Sequence, residues 1–163
     1  MDFRIAHRFP CTPEVYWKTT HDPEYERLSR GDDVDTDLLE TREEGHVTIE
    51  RRRVSPRKLL PPLMARGVGR DRLSYVQEVR FDNQAYSSVW KVLSDVLPDK
   101  VRCGGTSRVV VVPGGCERIM EGRIEVDVFM VGGAIEKHIL GELQRGYDNA
   151  AAVLTRLIPT GPT

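Results

Sequence analysis

Phe3, Ile5, His7 and Phe9 alternate with polar or small residues until Pro10, which predicts a first strand buried on one face. The pattern then changes. Thr12-Pro13-Glu14 and Asp22-Pro23-Glu24 each set a capping side chain before a proline and an acid, so two short helices are expected across residues 12 to 30. Gly31-Asp32-Asp33 breaks the second, and Leu38 to Glu43 and His46 to Val54 read as strands about a turn at Glu44-Gly45. After a proline-containing insert from Ser55 to Gly69, Leu73, Tyr75, Gln77, Val79 and Phe81 share one face, opposite Ser74, Glu78, Arg80 and Asp82. A turn at Asp82-Asn83-Gln84 leads to Tyr86, Ser88, Trp90 and Val92 on one face, with Lys91 marking the wet one. The run Ser107 to Val112 ends at Pro113-Gly114-Gly115. Met120, Gly122, Ile124, Val126, Val128 and Met130 then alternate with Glu121, Arg123, Glu125 and Asp127. Past Gly132-Gly133 the period lengthens, and Ile135, Ile139, Leu143, Tyr147, Ala150, Leu154 and Leu157 form the stripe of a helix from Ala134 to about Leu157.

This order, one strand, two short helices, six strands in hairpin steps and one long helix, predicts an α+β helix-grip fold. Its curved antiparallel sheet of seven strands carries a long C-terminal helix, and the two enclose a cavity. A length of 163 residues with 39% hydrophobic content suits one domain over 1–158, with 159–163 as a flexible tail. The 24 basic and 25 acidic side chains nearly cancel, which gives no nucleic-acid footprint. No uncharged stretch approaches the ~20 apolar residues of a membrane span, and the N-terminus lacks the basic start and apolar core of a secretory signal. Cys11, Cys103 and Cys116 read as reduced, buried thiols, so a cytoplasmic protein is expected.

Phe9-Pro10-Cys11-Thr12-Pro13-Glu14-Val15-Tyr16-Trp17, Asp22-Pro23-Glu24-Tyr25 and Val131-Gly132-Gly133-Ala134-Ile135-Glu136 make the chain resemble the START-like (SRPBCC) superfamily over nearly its full length. That superfamily includes lipid-transfer domains, pollen-allergen-like proteins and polyketide aromatase/cyclases. The chain looks most like an uncharacterised bacterial branch in which a glycine-bounded strand end precedes an Ile-Glu helix start. The resemblance implies a cavity for a hydrophobic or lipid-like small molecule, to be bound or transferred. It also leaves open a cyclase- or hydrolase-like enzyme acting on an apolar or aromatic substrate, and fold analogy does not choose between them.

The four histidines are scattered, and neither His-x-x-x-His nor Cys-x-x-Cys spacing occurs, so neither metal nor cofactor is expected. Gly67-Val68-Gly69 and Gly104-Gly105 lack the context of phosphate loops and read as turns or bulges. The inward faces nominate Phe3, Ile5, His7, Tyr75, Gln77, Val79, Tyr86, Ser88, Trp90, Met120, Ile124 and Val128 as cavity residues. Ordinary core packing competes for each apolar one. His7, Gln77 and Ser88 are more informative, because a buried polar group without a partner costs about 1 to 3 kcal/mol. On the helix, Ile139 and Leu143 face the sheet, Gly146 is expected to give the pocket clearance, and Glu142 flanks the stripe opposite Arg51. Convergence of His7 and Glu142 in the pocket would favour the enzyme.

Charge is uneven along the chain. Asp22 to Glu50 holds eleven acids against three arginines, whereas Arg51 to Arg72 holds eight bases against Asp71 alone. Within the basic part, Arg57, Lys58, Leu59, Leu60, Leu63 and Met64 mix cations with aliphatics. Such a segment suits a pocket lid or a transient membrane-surface contact, or else an insert tucked against the sheet.

Overall fold

The computed structural model describes residues 1–159. Strand β1 (Asp2–Phe9) is followed by helices α1 (Pro13–Thr20) and α2 (Pro23–Arg30), then by β2 (Val34–Glu44), β3 (Val47–Pro56) and a short α3 (Pro62–Val68). Strands β4 (Tyr75–Asp82), β5 (Ser87–Ser94), β6 (Val101–Val112) and β7 (Gly115–Val126) lead to α4 (Gly132–Leu157). The strands form one antiparallel curved sheet in the order β1-β7-β6-β5-β4-β3-β2. First and last strands are therefore neighbours, and α1 and α2 carry the chain from one sheet edge to the other. Of the tail expected over 159–163, residues 160–163 lie outside the described residues.

Both short helices start where their caps dictate. The Thr12 hydroxyl accepts from the Val15 N–H at 3.2 Å, and the Asp22 carboxylate accepts from Glu24 N–H at 2.8 Å, with proline opening each first turn. Register then fixes which side chains meet across the sheet. Ile5, Met120, Ser107, Ser88 and Phe81 lie in one transverse row, and Phe3, Gly122, Gly105, Trp90, Val79 and Glu50 in the next. Gly105 and Gly122 face each other where a Cβ at Gly105 would collide with the backbone of Glu121 and Gly122, so glycine permits the close approach of β6 and β7.

Two apolar clusters result. One joins Phe3, Ile5, Trp90, Met120 and Ile124 to Ile135 of α4, and the other joins Phe9, Tyr16, Val109 and Cys116 to Leu154. Cys11 and Cys116, distant in sequence, bring their sulfurs within 3.9 Å as free thiols.

Several expected boundaries shift. β6 begins at Val101, because Gly104-Gly105 continues the strand instead of turning it. β7 ends at Val126, and Val128 and Met130 belong to a loop in which Met130 takes φ 66°. Helix α4 starts two residues early, at Gly132. The insert is neither wholly lid nor wholly packed. Leu60 and Val68 are buried in the first cluster, with Met64 packed against it, while Leu59 and Leu63 stay exposed.

The charge asymmetry resolves into pairs between its halves. Arg57 binds Asp35 at 2.6 Å, Arg51 approaches Glu40 at 3.9 Å, and Arg52 pairs with Glu26. Hairpin pairing of β2 with β3 sets the acidic and basic runs side by side.

Candidate functional site

A cavity of about 290 Å³ opens between the concave sheet face, α1, α2 and α4. Its size lies at the lower edge of the ~300–1,000 Å³ typical of small-molecule sites, which admits a ring system or a short chain. The sheet contributes Val79, Phe81, Trp90, Val109 and Met120 as apolar wall, and Gln77, Ser88 and Ser107 as hydroxyl and amide groups. Helices α1 and α2 supply Tyr16, Trp17 and Tyr25, and α4 supplies Tyr147. Trp17 and Tyr86 rings lie 5.6 Å apart, and Phe81 meets the Trp17 ring edge-on at 6.0 Å, so the rim is a rigid aromatic assembly. The Trp90 indole N–H is buried and has no partner among the described residues.

Arg118 is the buried charge of the site, with 3% of its surface exposed. On β7 it stands two residues before Met120 and therefore shares its inward face. Its guanidinium sits 4.9 Å from the Tyr147 ring centroid and 5.6 Å from that of Phe9, a cation between two π faces. Its polar partners are neutral: the His7 ring at 2.8 Å, the Tyr147 carbonyl at 3.4 Å and the Tyr16 hydroxyl at 3.5 Å, with the Tyr25 hydroxyl also beside it. The Nε–H has none. Because a guanidinium only donates, His7 Nδ1 accepts from it, and the opposite Nε2–H donates to Asp148 at 2.7 Å. The nearby phenols are no counter-ions at neutral pH. Burial pushes Tyr147 up to about 12, and raises Tyr16 and Tyr25 as well.

At the other side of the cavity two glutamates are matched by two arginines, Arg30 approaching Glu26 at 3.6 Å. Arg52 reaches Glu26 of α2 and lies 3.4 Å from Glu50 on its own strand.

Of the residues nominated from sequence, Gln77, Val79, Ser88, Trp90 and Met120 line the cavity. His7 lies behind Arg118 as its partner. Phe3, Ile5 and Ile124 belong to the packed core, with Ile139, Leu143 and Val128 against it. Tyr75 lies outside the lining, its hydroxyl pushed up to about 12 by burial. Tyr86 takes φ 53° at a turn and stacks on Trp17. Arg51 does not meet Glu142. It points to the outer sheet face, toward Glu78 at 3.6 Å, because strand alternation gives the inward place to Arg52. Glu142 pairs with Lys58 at 3.3 Å and with Arg145, outside the cavity. Gly146 is exposed, with open space where a side chain would start, so it gives no clearance to the pocket.

Among the lining residues that sequence reasoning missed are Arg118 and the aromatics of α1 and α2. Arg118 had a readable signal, since the alternation of β7 extended two places toward its start puts an arginine on an apolar face.

Residues 4–158 match a family described as a protein of unknown function, DUF2505. No curated protein matches the sequence. Among solved structures, TTHA0849 from Thermus thermophilus aligns with a TM-score of 0.66 at 16% identity, covering 97% of both chains. Ara h 8.0201 aligns at 0.66 with 9% identity, covering 94% of this chain and 97% of its own. The Zhui aromatase/cyclase from a Streptomyces species aligns at 0.63 with 9% identity, covering 97% of this chain and 93% of its own. At these identities the likeness establishes the START-like helix-grip fold alone.

Proposed function

Because this chain belongs to the DUF2505 family, whose description assigns no activity, we propose its role from the cavity: it binds one small hydrophobic molecule and releases it to a later acceptor. The carrying observation is the 290 Å³ space walled by Val79, Phe81, Trp90 and Met120, with the Trp90 N–H left unpaired. Apolar walls supply affinity, and the few polar groups fix orientation. That volume suits a compact ligand better than a two-chain phospholipid.

The rival reading, a cyclase or hydrolase, asks for two titratable groups converging on substrate. His7 and Glu142, the pair that would have favoured it, stand apart: one backs Arg118 and the other pairs with Lys58. This supports carriage over chemistry.

Native mass spectrometry of gently purified protein, followed by solvent extraction, tests the reading. A 1:1 adduct of a few hundred daltons, or rebinding of an apolar probe to stripped protein, is expected. Protein that carries nothing and binds no such probe would overturn it.

A transient membrane contact is a second reading, favoured by one feature. Phe129 and Met130 are 89% and 87% exposed, and Val131 beside them packs on Gly67 of α3, near exposed Leu63. Arg57 and Lys58 are engaged in ion pairs, so docking would rest on these apolar tips. Vesicle flotation should then fall with Phe129→Ser plus Met130→Ser, and unchanged flotation would remove this reading.

A further inference from the structure

We propose that Arg118 is an anion anchor, and that the ligand of this cavity is a compact aromatic or alicyclic molecule bearing a single carboxylate. The inference rests on the reading of the cavity as a binding site, and adds the charge of what it takes.

Burying an ion without a counter-charge is costly, so such groups are paired, bound to metal or neutralised. Arginine cannot escape by losing its proton, since its pKa stays above ~12. Yet Arg118 is 3% exposed, lines the cavity, and touches only neutral partners among the described residues. Asp148, on the far side of the His7 ring, feels its charge through space but does not touch it. Of the five N–H donors of a guanidinium, the Nε–H has no partner among the described residues, and the contacts to Tyr147 and Tyr16 are as long as 3.4 and 3.5 Å. A positive charge with no carboxylate in contact is left at the wall of a space that a small molecule can fill, with one N–H donor unpaired behind that wall.

The surroundings narrow the class. Arg52, the other cation of the lining, is held by Glu26 and Glu50, so Arg118 is the one cation of the lining with no carboxylate in contact among the described residues. One charge suits a monoanion. A phosphate dianion would meet Glu26 and Glu50 with no second free cation to offset them. Trp17, Phe81 and Trp90 along the remaining wall favour a flat apolar body.

An isosteric pair tests this: 2-naphthoate, and its neutral amide 2-naphthamide. Both tryptophans of the chain, Trp17 and Trp90, line the cavity, so quenching of intrinsic fluorescence reports either ligand. Wild-type protein should bind the acid at least about tenfold more tightly than the amide, the scale of a charge-assisted hydrogen bond. In Arg118→Met the preference should vanish while the amide still binds. In Arg118→Lys, which keeps the charge but loses the planar fork, it should be intermediate. Equal affinities in the wild type would overturn the anchor and leave the apolar pocket standing, and this comparison needs no variant to fold. Binding of neither compound would overturn the pocket, and the anchor with it.

Discussion

Two arginines line the same cavity and live under opposite conditions. Arg52, on β3, is partly exposed and spans carboxylates from α2 and from its own strand. Arg118, on β7, is almost wholly buried and meets an imidazole, a phenol, a carbonyl and two aromatic faces. The first is a structural cation that ties a helix to the sheet. The second carries a charge with no carboxylate in contact among the described residues, Asp148 standing one ring away behind His7, and such a buried charge is where a ligand gains most by being an anion.

The largest expected effect comes from filling the space between them. Ser107 and Ser88 lie in the row between Arg118 and the Trp90 row. Ser107→Phe should abolish binding of both naphthyl compounds while the protein still melts cooperatively, and a titration with unchanged affinity would show that the ligand sits elsewhere. Next comes a crossover in stability. Arg118→Met removes a buried unpaired ion, a change often neutral or stabilising by up to about 4 kcal/mol, so its melting temperature should hold or rise. Arg52→Met leaves Glu50 without its cation and Glu26 with Arg30 alone, and should cost about 1 kcal/mol, with little effect on naphthoate. Thermal melts of the two variants check the signs, and a fall for Arg118→Met larger than for Arg52→Met would reverse the comparison.

Much of this arrangement is legible in the sequence, and the reason lies in periodicity. Period-2 faces bring Gln77, Val79, Ser88, Trp90 and Met120 together, because neighbouring antiparallel strands stack their inward residues in rows. The caps at Thr12 and Asp22 place both short helices. Three things escape such reading. Gly104-Gly105 looks like a turn until the partner strand supplies the ladder that it continues. The exposed side of α4 at Gly146 cannot be told from its buried side by spacing alone, since the stripe narrows there to Leu143, Tyr147 and Ala150. Tyr16, Trp17 and Tyr25 reach the cavity through the docking of α1 and α2, a tertiary event with no local signature.

Two smaller effects concern the surroundings of Arg118. Gly146→Ala should raise stability by up to ~1 kcal/mol through helix propensity and leave naphthoate affinity untouched. Open space at its Cβ carries that expectation, and weakened binding would put α4 closer to the ligand than the structure does. Asp148, behind His7, has its carboxyl held below the usual range by hydrogen bonds from His7 and Gln144. A depressed folded value gives stability that is present above the unfolded carboxylate pKa and is lost as pH falls through the folded one. Asp148→Asn should therefore melt slightly below wild type near neutrality and converge with it in acid. A gap that widens toward low pH would contradict the pairing.

The most direct measurement follows the arginine Nε–H resonances by proton–nitrogen correlation NMR during titration with 2-naphthoate, assigned through Arg118→Lys and Arg52→Lys. The Arg118 Nε–H, unpartnered and buried in the free protein, should shift and saturate with the ligand while that of Arg52 stays near its free position. A silent Arg118 signal at saturating naphthoate, or a shift confined to Arg52, would contradict the account.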